Sequence, residues 1–228
     1  MPRHNPPRSD LPKRREDRPQ LGARHPIDYD DGVEDFFGRA TFALADAIYG
    51  TQTKSSGVIH HRQGFRFYDD PDKVGITVVE RRLSHDYARK HRLRWSPNDA
   101  GRIRGEIQNV LGRLSLPDKW PIPVTFTDVI RVGDADETRS RKLALIVDQK
   151  DPVAEFLVEE HRIVMDVLGR AFKGLRYPYD DYIPKFTVVA LDSRLPSDNK
   201  NDALAAITEL LPIDASIQPI RFTSTQDF

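Results

Sequence analysis

Residues 182–189 read Tyr-Ile-Pro-Lys-Phe-Thr-Val-Val. The run is rich in β-branched and aromatic residues and follows a proline, which is typical of the start of a β-strand. We predict a strand over residues 183–191. Side chains two residues apart on a strand point to the same face, so Lys185 and Thr187 are expected to share a face with Val189.

A shorter run with the same pattern lies upstream, where residues 74–78 read Val-Gly-Ile-Thr-Val. We predict a second strand here, with Gly75 and Thr77 on one face. Each of the two runs is followed in the chain by a helix pattern and then by another strand pattern. The chain therefore contains a weak internal duplication of pattern, although not of residue identity.

The remaining elements follow from hydrophobic periodicity and from turn residues. A long apolar stripe after Pro152 indicates a helix that ends near Gly174, and His161 on it, among charged neighbours, is expected to be solvated. The other predicted elements are helices over residues 33–49, from Pro97 onward and over about 200–211, and strands over 58–68, 124–132, 143–147 and about 217–223.

Composition and charge describe a globular chain with a basic beginning. The 228 residues carry no formal net charge, 38% are hydrophobic, 31% are charged and none is cysteine. We assign residues 1–28 to a basic, proline-rich disordered tail and residues 29–228 to a single domain. The chain shows neither an apolar leader nor a spanning run, which predicts a cytoplasmic protein without a membrane partner.

The two runs resemble the signatures of the two-histidine (LigT-like) phosphoesterases, which typically read Pro-His-hydrophobic-Thr-hydrophobic. Lys185 and Gly75 stand where that family has its histidines. The resemblance covers roughly residues 58–228 and also rests on the order of elements. It implies an α/β (α+β) fold of two pseudo-symmetric sheet-plus-helix lobes around a central groove.

Active members of that family hydrolyse 2′,3′-cyclic or 2′-5′ phosphodiesters without a metal or other cofactor, and their histidines act as general acid and base. Glycine at position 75 has no side chain that could transfer a proton. Lys185 has a reference pKa of about 10.4, so it is expected to be a cation that can hold phosphate but not a base at neutral pH. We therefore predict a catalytically degenerate protein that binds RNA or a nucleotide.

The candidate ligand-binding residues come from the two signatures and the basic segment after the first one. The threonine hydroxyls and the cations are expected to contact phosphate, and the tyrosine could stack on a base. The candidates are Thr77, Lys185, Thr187, Tyr182, Arg81 and Arg82.

Two alternatives remain open from the sequence. The chain could be an active phosphodiesterase that uses Lys185 or a relocated histidine, the candidates being His60, His61, His85 and His91. It could instead be a protein-interaction or assembly module whose basic N-terminal tail binds a protein partner.

Overall fold

The computed structural model describes residues 21–50, 64–70, 74–79, 97–112, 120–132, 141–171 and 182–224. Within these ranges the chain forms eight strands and four helices. In chain order they are β1 (Leu21–Pro26), α1 (Asp31–Tyr49), β2 (Phe65–Phe67), β3 (Gly75–Val79), α2 (Pro97–Leu111), β4 (Ile122–Val132), β5 (Lys142–Val147), α3 (Pro152–Ala171), β6 (Lys185–Leu191), α4 (Ser197–Thr208), β7 (Ile213–Ile217) and β8 (Arg221–Ser224). None of the described helices is long and apolar enough to cross a membrane.

The strands form two antiparallel sheets, so the mixed α/β class predicted from the sequence is confirmed. The small sheet has the order β3-β1-β8, and the large sheet has the order β2-β6-β5-β4-β7. The two signature strands therefore lie in different sheets, β3 at an edge of the small one and β6 inside the large one.

Two apolar clusters form the core of the described chain. In the first, α1 and α4 pack on the large sheet, and in the second, α2 packs with the later half of α3 on the small sheet. Strand β3 and helix α3 each contribute to both clusters. The first cluster includes Val74, Ile76, Ala154 and Leu157, and the second includes Val78, Val79, Val164, Val167 and Leu168. Near the point where β3 and α3 change cluster lie three of the buried polar residues of the described chain, His25, Glu160 and His161.

The helices begin at or near the predicted residues. Helix α4 spans Ser197–Thr208, three residues earlier than the predicted 200–211, and the predicted end of α3 near Gly174 lies outside the described residues. Asp30 caps α1, because its Oδ1 accepts a hydrogen bond from the Val33 amide at 3.0 Å. Gly50 ends α1 with a φ of 70°, a left-handed conformation that favours glycine. At the start of α3, the Asp151 carboxylate accepts from the Val153 amide at 2.9 Å.

The beginning of the described chain differs from the sequence prediction. Residues 21–26 fall within the range assigned to a disordered tail, yet they form β1, the central strand of the small sheet. The strand is stabilised by two neighbours, since β1 pairs with both β3 and β8. Such distant pairing leaves no mark in the local composition, which is basic and poor in large apolar residues. Residues 1–20 lie outside the described ranges.

Two β-bulges shift side chains away from strict alternation. In β6, Thr187 pairs with Ala144 and Val189 with Leu143, so Val188 is an extra residue and both valines are buried. The prediction that Lys185, Thr187 and Val189 share a face is therefore correct for Lys185 and Thr187 and wrong for Val189. A similar irregularity at residues 126–128 of β4 buries Val129 and leaves its neighbour Ile130 half-buried.

The end of the chain also differs from the prediction of one strand over residues 217–223. The structure has two short strands instead, β7 paired with β4 of the large sheet and β8 paired with β1 of the small sheet. The chain therefore passes from one sheet to the other at residues 218–220. Of the strand predicted over residues 58–68, Phe65–Phe67 forms β2, and residues 58–63 lie outside the described chain.

Candidate functional site

The two signature strands approach each other from the two sheets. Tyr182, three residues before β6, donates a hydrogen bond from its hydroxyl to the backbone carbonyl of Thr77 on β3, at 2.8 Å. Strands β3 and β6 are also in contact with each other. Sequence positions more than a hundred residues apart are thus brought to one place, which is the candidate site.

The side chains that the sequence singled out on these strands are half-buried. Thr77 is the only residue of β3 that is not fully buried, while Lys185 and Thr187 alternate with the buried Phe186 on β6. Phe186 packs in the first apolar cluster, so Lys185 and Thr187 point to the opposite face of the large sheet. That face carries the polar groups of the candidate site.

Arg24 is a site residue that the sequence reasoning missed. It pairs directly with Thr77 across the antiparallel β1–β3 ladder, and residues paired in this way share a face of the sheet. Arg24 is half-buried, as Thr77 is. It was hidden by the assignment of residues 1–28 to a tail, and the signal that would have found it is the pairing of β1.

His161 on α3 lies against the same two strands and is buried, with 6% of its surface exposed. Its Nδ1 lies 2.6 Å from the carbonyl oxygen of Val78, and its ring stacks on Tyr182 with centroids 3.8 Å apart. The prediction of a solvated His161 is therefore wrong. The prediction was based on the charged neighbours Glu159 and Arg162. His161 instead lies one helical turn from Leu157, on the buried face of α3.

The environment of His161 keeps the imidazole neutral at pH 7. Burial is the main cause that lowers the pKa of His161, the hydrogen bond to the Val78 carbonyl opposes it, and the positive charge of Lys185 lowers it further. A carbonyl only accepts, so Nδ1 carries the proton and Nε2 holds the lone pair in the neutral ring. The ring can therefore act as a proton acceptor through Nε2.

A second buried histidine, His25, helps to hold His161 in place. His25 on β1 contacts the Glu160 carboxylate through Nε2 and donates from Nδ1 to the carbonyl of Gln218, at 2.9 Å. Its ring also stacks on Trp120, with centroids 5.6 Å apart. Both side chains of this pair are at most 1% exposed. Because Glu160 directly precedes His161, the pair fixes α3 against β1 and so positions His161.

Gly75 occupies the position that corresponds to the first family histidine, and the structure leaves no space for a side chain there. A Cβ at this position would lie 2.5 Å from the carbonyl oxygen of His25 and 3.3 Å from the Cα of Pro26. Both atoms belong to the backbone of β1, so they cannot turn aside as a side chain would. Glycine at 75 is required by the close approach of β3 to β1.

Several candidate residues lie outside the described ranges and stay predictions. They are Arg81, Arg82, His60, His61, His85 and His91. In the part of the chain that the structure describes, no three His, Asp or Glu side chains come together in a way that could hold a metal ion.

Comparison with known proteins adds no relative. No family model matches the chain, and a search of curated proteins finds no match to it. The function is therefore inferred from the residues that meet between β3 and β6.

Proposed function

We propose that the chain is an RNA- or nucleotide-binding protein that holds a phosphate group between β3 and β6, on a scaffold of the two-histidine phosphoesterase type. The observation that carries the proposal is the hydrogen bond from Tyr182 to the Thr77 carbonyl. It brings the two signature strands together, and with them the hydroxyl of Thr77 and the polar pair Lys185 and Thr187.

The chemistry of these residues suits a phosphate. Lys185 supplies a positive charge, and the threonine hydroxyls can donate hydrogen bonds to phosphate oxygens. Arg24, opposite Thr77, adds a second cation with a planar group that matches two phosphate oxygens. Arg81 and Arg82 are proposed to contribute further phosphate contacts.

A two-lobed arrangement around a groove is part of the proposal. Its support is that each sheet has its own apolar cluster and its own helices, and that β3 and α3 pass between the clusters. The polar side chains Thr77, His161 and Lys185 lie at that passage.

The glycine at position 75 favours a protein that binds its ligand without turnover. A general acid or base is typically worth about 10²- to 10⁴-fold in rate, and Gly75 can supply neither. The close approach of β1 also excludes a larger residue there.

Phosphodiester hydrolysis is the second candidate function, and His161 is the specific observation in its favour. The imidazole is neutral, its tautomer is set by the Val78 carbonyl, and it lies beside Lys185. It could act as a general base on a phosphodiester held by Lys185 and Thr187. His161 would then be the relocated histidine, although it comes from α3 and not from the segments that the sequence suggested.

The experiment uses a short RNA that ends in a 2′,3′-cyclic phosphate, with binding and ring opening measured on the full chain. We expect the wild type to bind it, and Lys185→Met to weaken binding by about 10- to 150-fold, the range for a hydrogen bond to a charged group. Lys150→Met, on an exposed turn, is the matched control and should bind like the wild type.

The outcomes separate the candidates. Binding without ring opening supports the binding protein, whereas ring opening that is lost in His161→Gln supports the hydrolase. If the wild type does not bind the RNA, or if Lys185→Met binds as tightly as Lys150→Met does, the proposed phosphate site is wrong.

A further inference from the structure

The face of the large sheet that carries Lys185 and Thr187 continues beyond them toward the outer edge of the sheet. Residues that pair directly across antiparallel strands share a face, so the ladder identifies the neighbours. The pairs along this face are Lys185 with Ile146, Thr187 with Ala144, and Ala190 with both Lys142 and Arg66. Along β6 this face is half-exposed at Lys185, Thr187 and Ala190, whereas Ile146 and Ala144 on β5 are buried. Strand β6 therefore leads from Lys185 to a second basic position formed by Lys142 and Arg66.

An aromatic ring lies between these two cations. The guanidinium of Arg66 is 5.5 Å from the centre of the Tyr68 ring, and the ammonium of Lys142 is 6.0 Å from it. Tyr68 is half-buried, whereas Arg66 and Lys142 are exposed. Tyr68, Arg66 and Lys142 are called the Tyr68 platform below.

The contacts within the Tyr68 platform are weaker than the contact that a nucleobase would make. Distances of 5.5 and 6.0 Å are near the outer limit for a cation–π contact, which at an exposed site shifts an equilibrium by about two- to fivefold. Stacking of a base on an aromatic ring contributes about five- to 150-fold. A base can therefore displace a cation from the ring, and the displaced cation remains close enough to contact a phosphate.

The distance between Lys185 and the Tyr68 platform determines how large a ligand must be to contact both. Ile146 and Lys142, which mark the two ends on β5, are four residues apart, or roughly 13 Å along a strand. One phosphate group could contact both ends only if the lysine side chains extended toward each other, which would take Lys142 away from the Tyr68 ring. A chain that carries phosphates and bases in alternation contacts both ends without that rearrangement, and its negative charge complements Lys185, Lys142 and Arg66.

Acidic side chains near this face do not cancel its charge. Asp128 on β4 pairs with Ile146 and accepts a hydrogen bond from the Val129 amide, at 2.7 Å. Strand β5 lies between Asp128 and Lys185, and two strands, β5 and β6, lie between Asp128 and Arg66. Asp69 follows Tyr68 in the chain, but its charge acts on Tyr29, which packs against the first cluster on the other side.

We propose that this face binds single-stranded RNA, with the end phosphate at Lys185 and Thr187, a base stacked on Tyr68, and Arg66 and Lys142 on the neighbouring phosphate. The proposal rests on the proposed function, because it extends the same phosphate site. It adds that the ligand is an oligonucleotide and that the Tyr68 platform gives the preference for it over a mononucleotide.

The experiment compares two ligands with the same end, uridine 2′,3′-cyclic phosphate and a uridine tetranucleotide that ends in the same group. Their affinities are measured on the full chain. We expect Tyr68→Leu to lower the affinity for the tetranucleotide by about five- to 150-fold and the affinity for the mononucleotide by less than about twofold. Tyr68→Phe keeps the ring and should bind both ligands like the wild type.

The charges are tested separately through the salt dependence. Each phosphate contact on a single strand contributes about 0.7 to the slope of log affinity against log salt concentration. The double variant Arg66→Met, Lys142→Met should lower that slope for the tetranucleotide and leave the slope for the mononucleotide unchanged. Lys150→Met should change neither slope, and thermal melting shows whether each variant is folded.

The outcomes distinguish the two proposals. If Tyr68→Leu binds the tetranucleotide as tightly as the wild type does, while Lys185→Met lowers the affinity for both ligands, the proposal of an RNA-binding face is wrong and the proposed phosphate site stands. If Lys185→Met weakens neither ligand while Tyr68→Leu weakens the tetranucleotide, the phosphate site is wrong, and with it the placement of the RNA end. If neither ligand binds to the folded wild type, both proposals are overturned.

Discussion

His161 and Tyr182 stack ring against ring, with centroids 3.8 Å apart and planes 7° from parallel. Each ring also contacts a carbonyl of β3, Tyr182 that of Thr77 and His161 that of Val78. Strand β3 is at an edge of its sheet, so its backbone groups need partners from elsewhere. The stacked rings provide them, and in doing so they join α3 and β6 to β3.

Lys185→Met should raise the pKa of His161, because the positive charge of Lys185 is one cause of its lowering. Burial remains, so the pKa should stay below the usual value of 6.5. The measurement is an NMR titration of the His161 ring. Lys150→Met, which removes a lysine from an exposed turn, should leave the titration unchanged, and an equal shift in that variant would contradict the assignment to Lys185.

The same shift predicts how stability depends on pH. The pKa of His161 is lower in the folded chain than in the unfolded chain, so the unfolded chain binds the proton first as the pH falls. This group therefore contributes full stability above pH 6.5, and the contribution is lost as the pH falls from 6.5 through the folded pKa. Lys185→Met should bring the folded pKa of His161 closer to its unfolded pKa. The free energy of unfolding, measured with urea at several pH values, should therefore fall less toward acid pH in this variant than in the wild type.

The buried pair of His25 and Glu160 should be important for stability although it contacts no proposed ligand. Removal of one member of a buried pair leaves the other without its partner, at a cost of about 3–5 kcal/mol. We expect this loss for His25→Ala and for Glu160→Ala in urea unfolding. The double variant should lose less than the total of the two single variants, because the residues are in direct contact.

Glu159→Ala is the matched control for Glu160→Ala. Glu159 is the neighbouring residue on α3, and its ion pair with Arg162 is exposed to solvent. Water screens the charges of an exposed pair, so this variant should unfold almost like the wild type. Equal losses for Glu159→Ala and Glu160→Ala would contradict the structural role of the buried pair.

Gly75→His would place a histidine where the two-histidine phosphoesterases that the sequence resembles have one, but it should destabilise the protein and not create activity. The new Cβ would lie 2.5 Å from the His25 carbonyl, so β1 and β3 would have to move apart. Gly75→Ala meets the same obstacle, and we expect a loss of about 1–3 kcal/mol in the free energy of unfolding.

Gly38→Ala on α1 is the control for position 75, because no atom lies within 4 Å of the Cβ that it adds. Alanine is favoured over glycine inside a helix by about 0.5–1 kcal/mol, so this variant should be slightly stabilised. If Gly75→Ala were as stable as Gly38→Ala, the close approach of β1 would not be what requires glycine.

The sequence predicted the elements that depend on local pattern and missed those that depend on distant pairing. The helix from Pro152 and the strand with Lys185 and Thr187 follow from periodicity and turn residues. The position of His161 does not, because its neighbours on α3 are charged and it is buried by contact with β3 and with Tyr182. His25 was missed for the same reason, since β1 is a strand only between its two partners.

Tyr182→Phe distinguishes a structural role for Tyr182 from the direct ligand contact suggested by the sequence. The ring already stacks on His161 and its hydroxyl already binds the Thr77 carbonyl, so phenylalanine keeps the stack and loses the hydrogen bond. The net value of such a bond is about 0.5–1.5 kcal/mol, and we expect that loss in urea unfolding. Affinity for the cyclic-phosphate mononucleotide should change by less than about threefold, because the two strands remain joined by the stacked rings. A large loss of affinity without a loss of stability would show instead that the hydroxyl contacts the ligand.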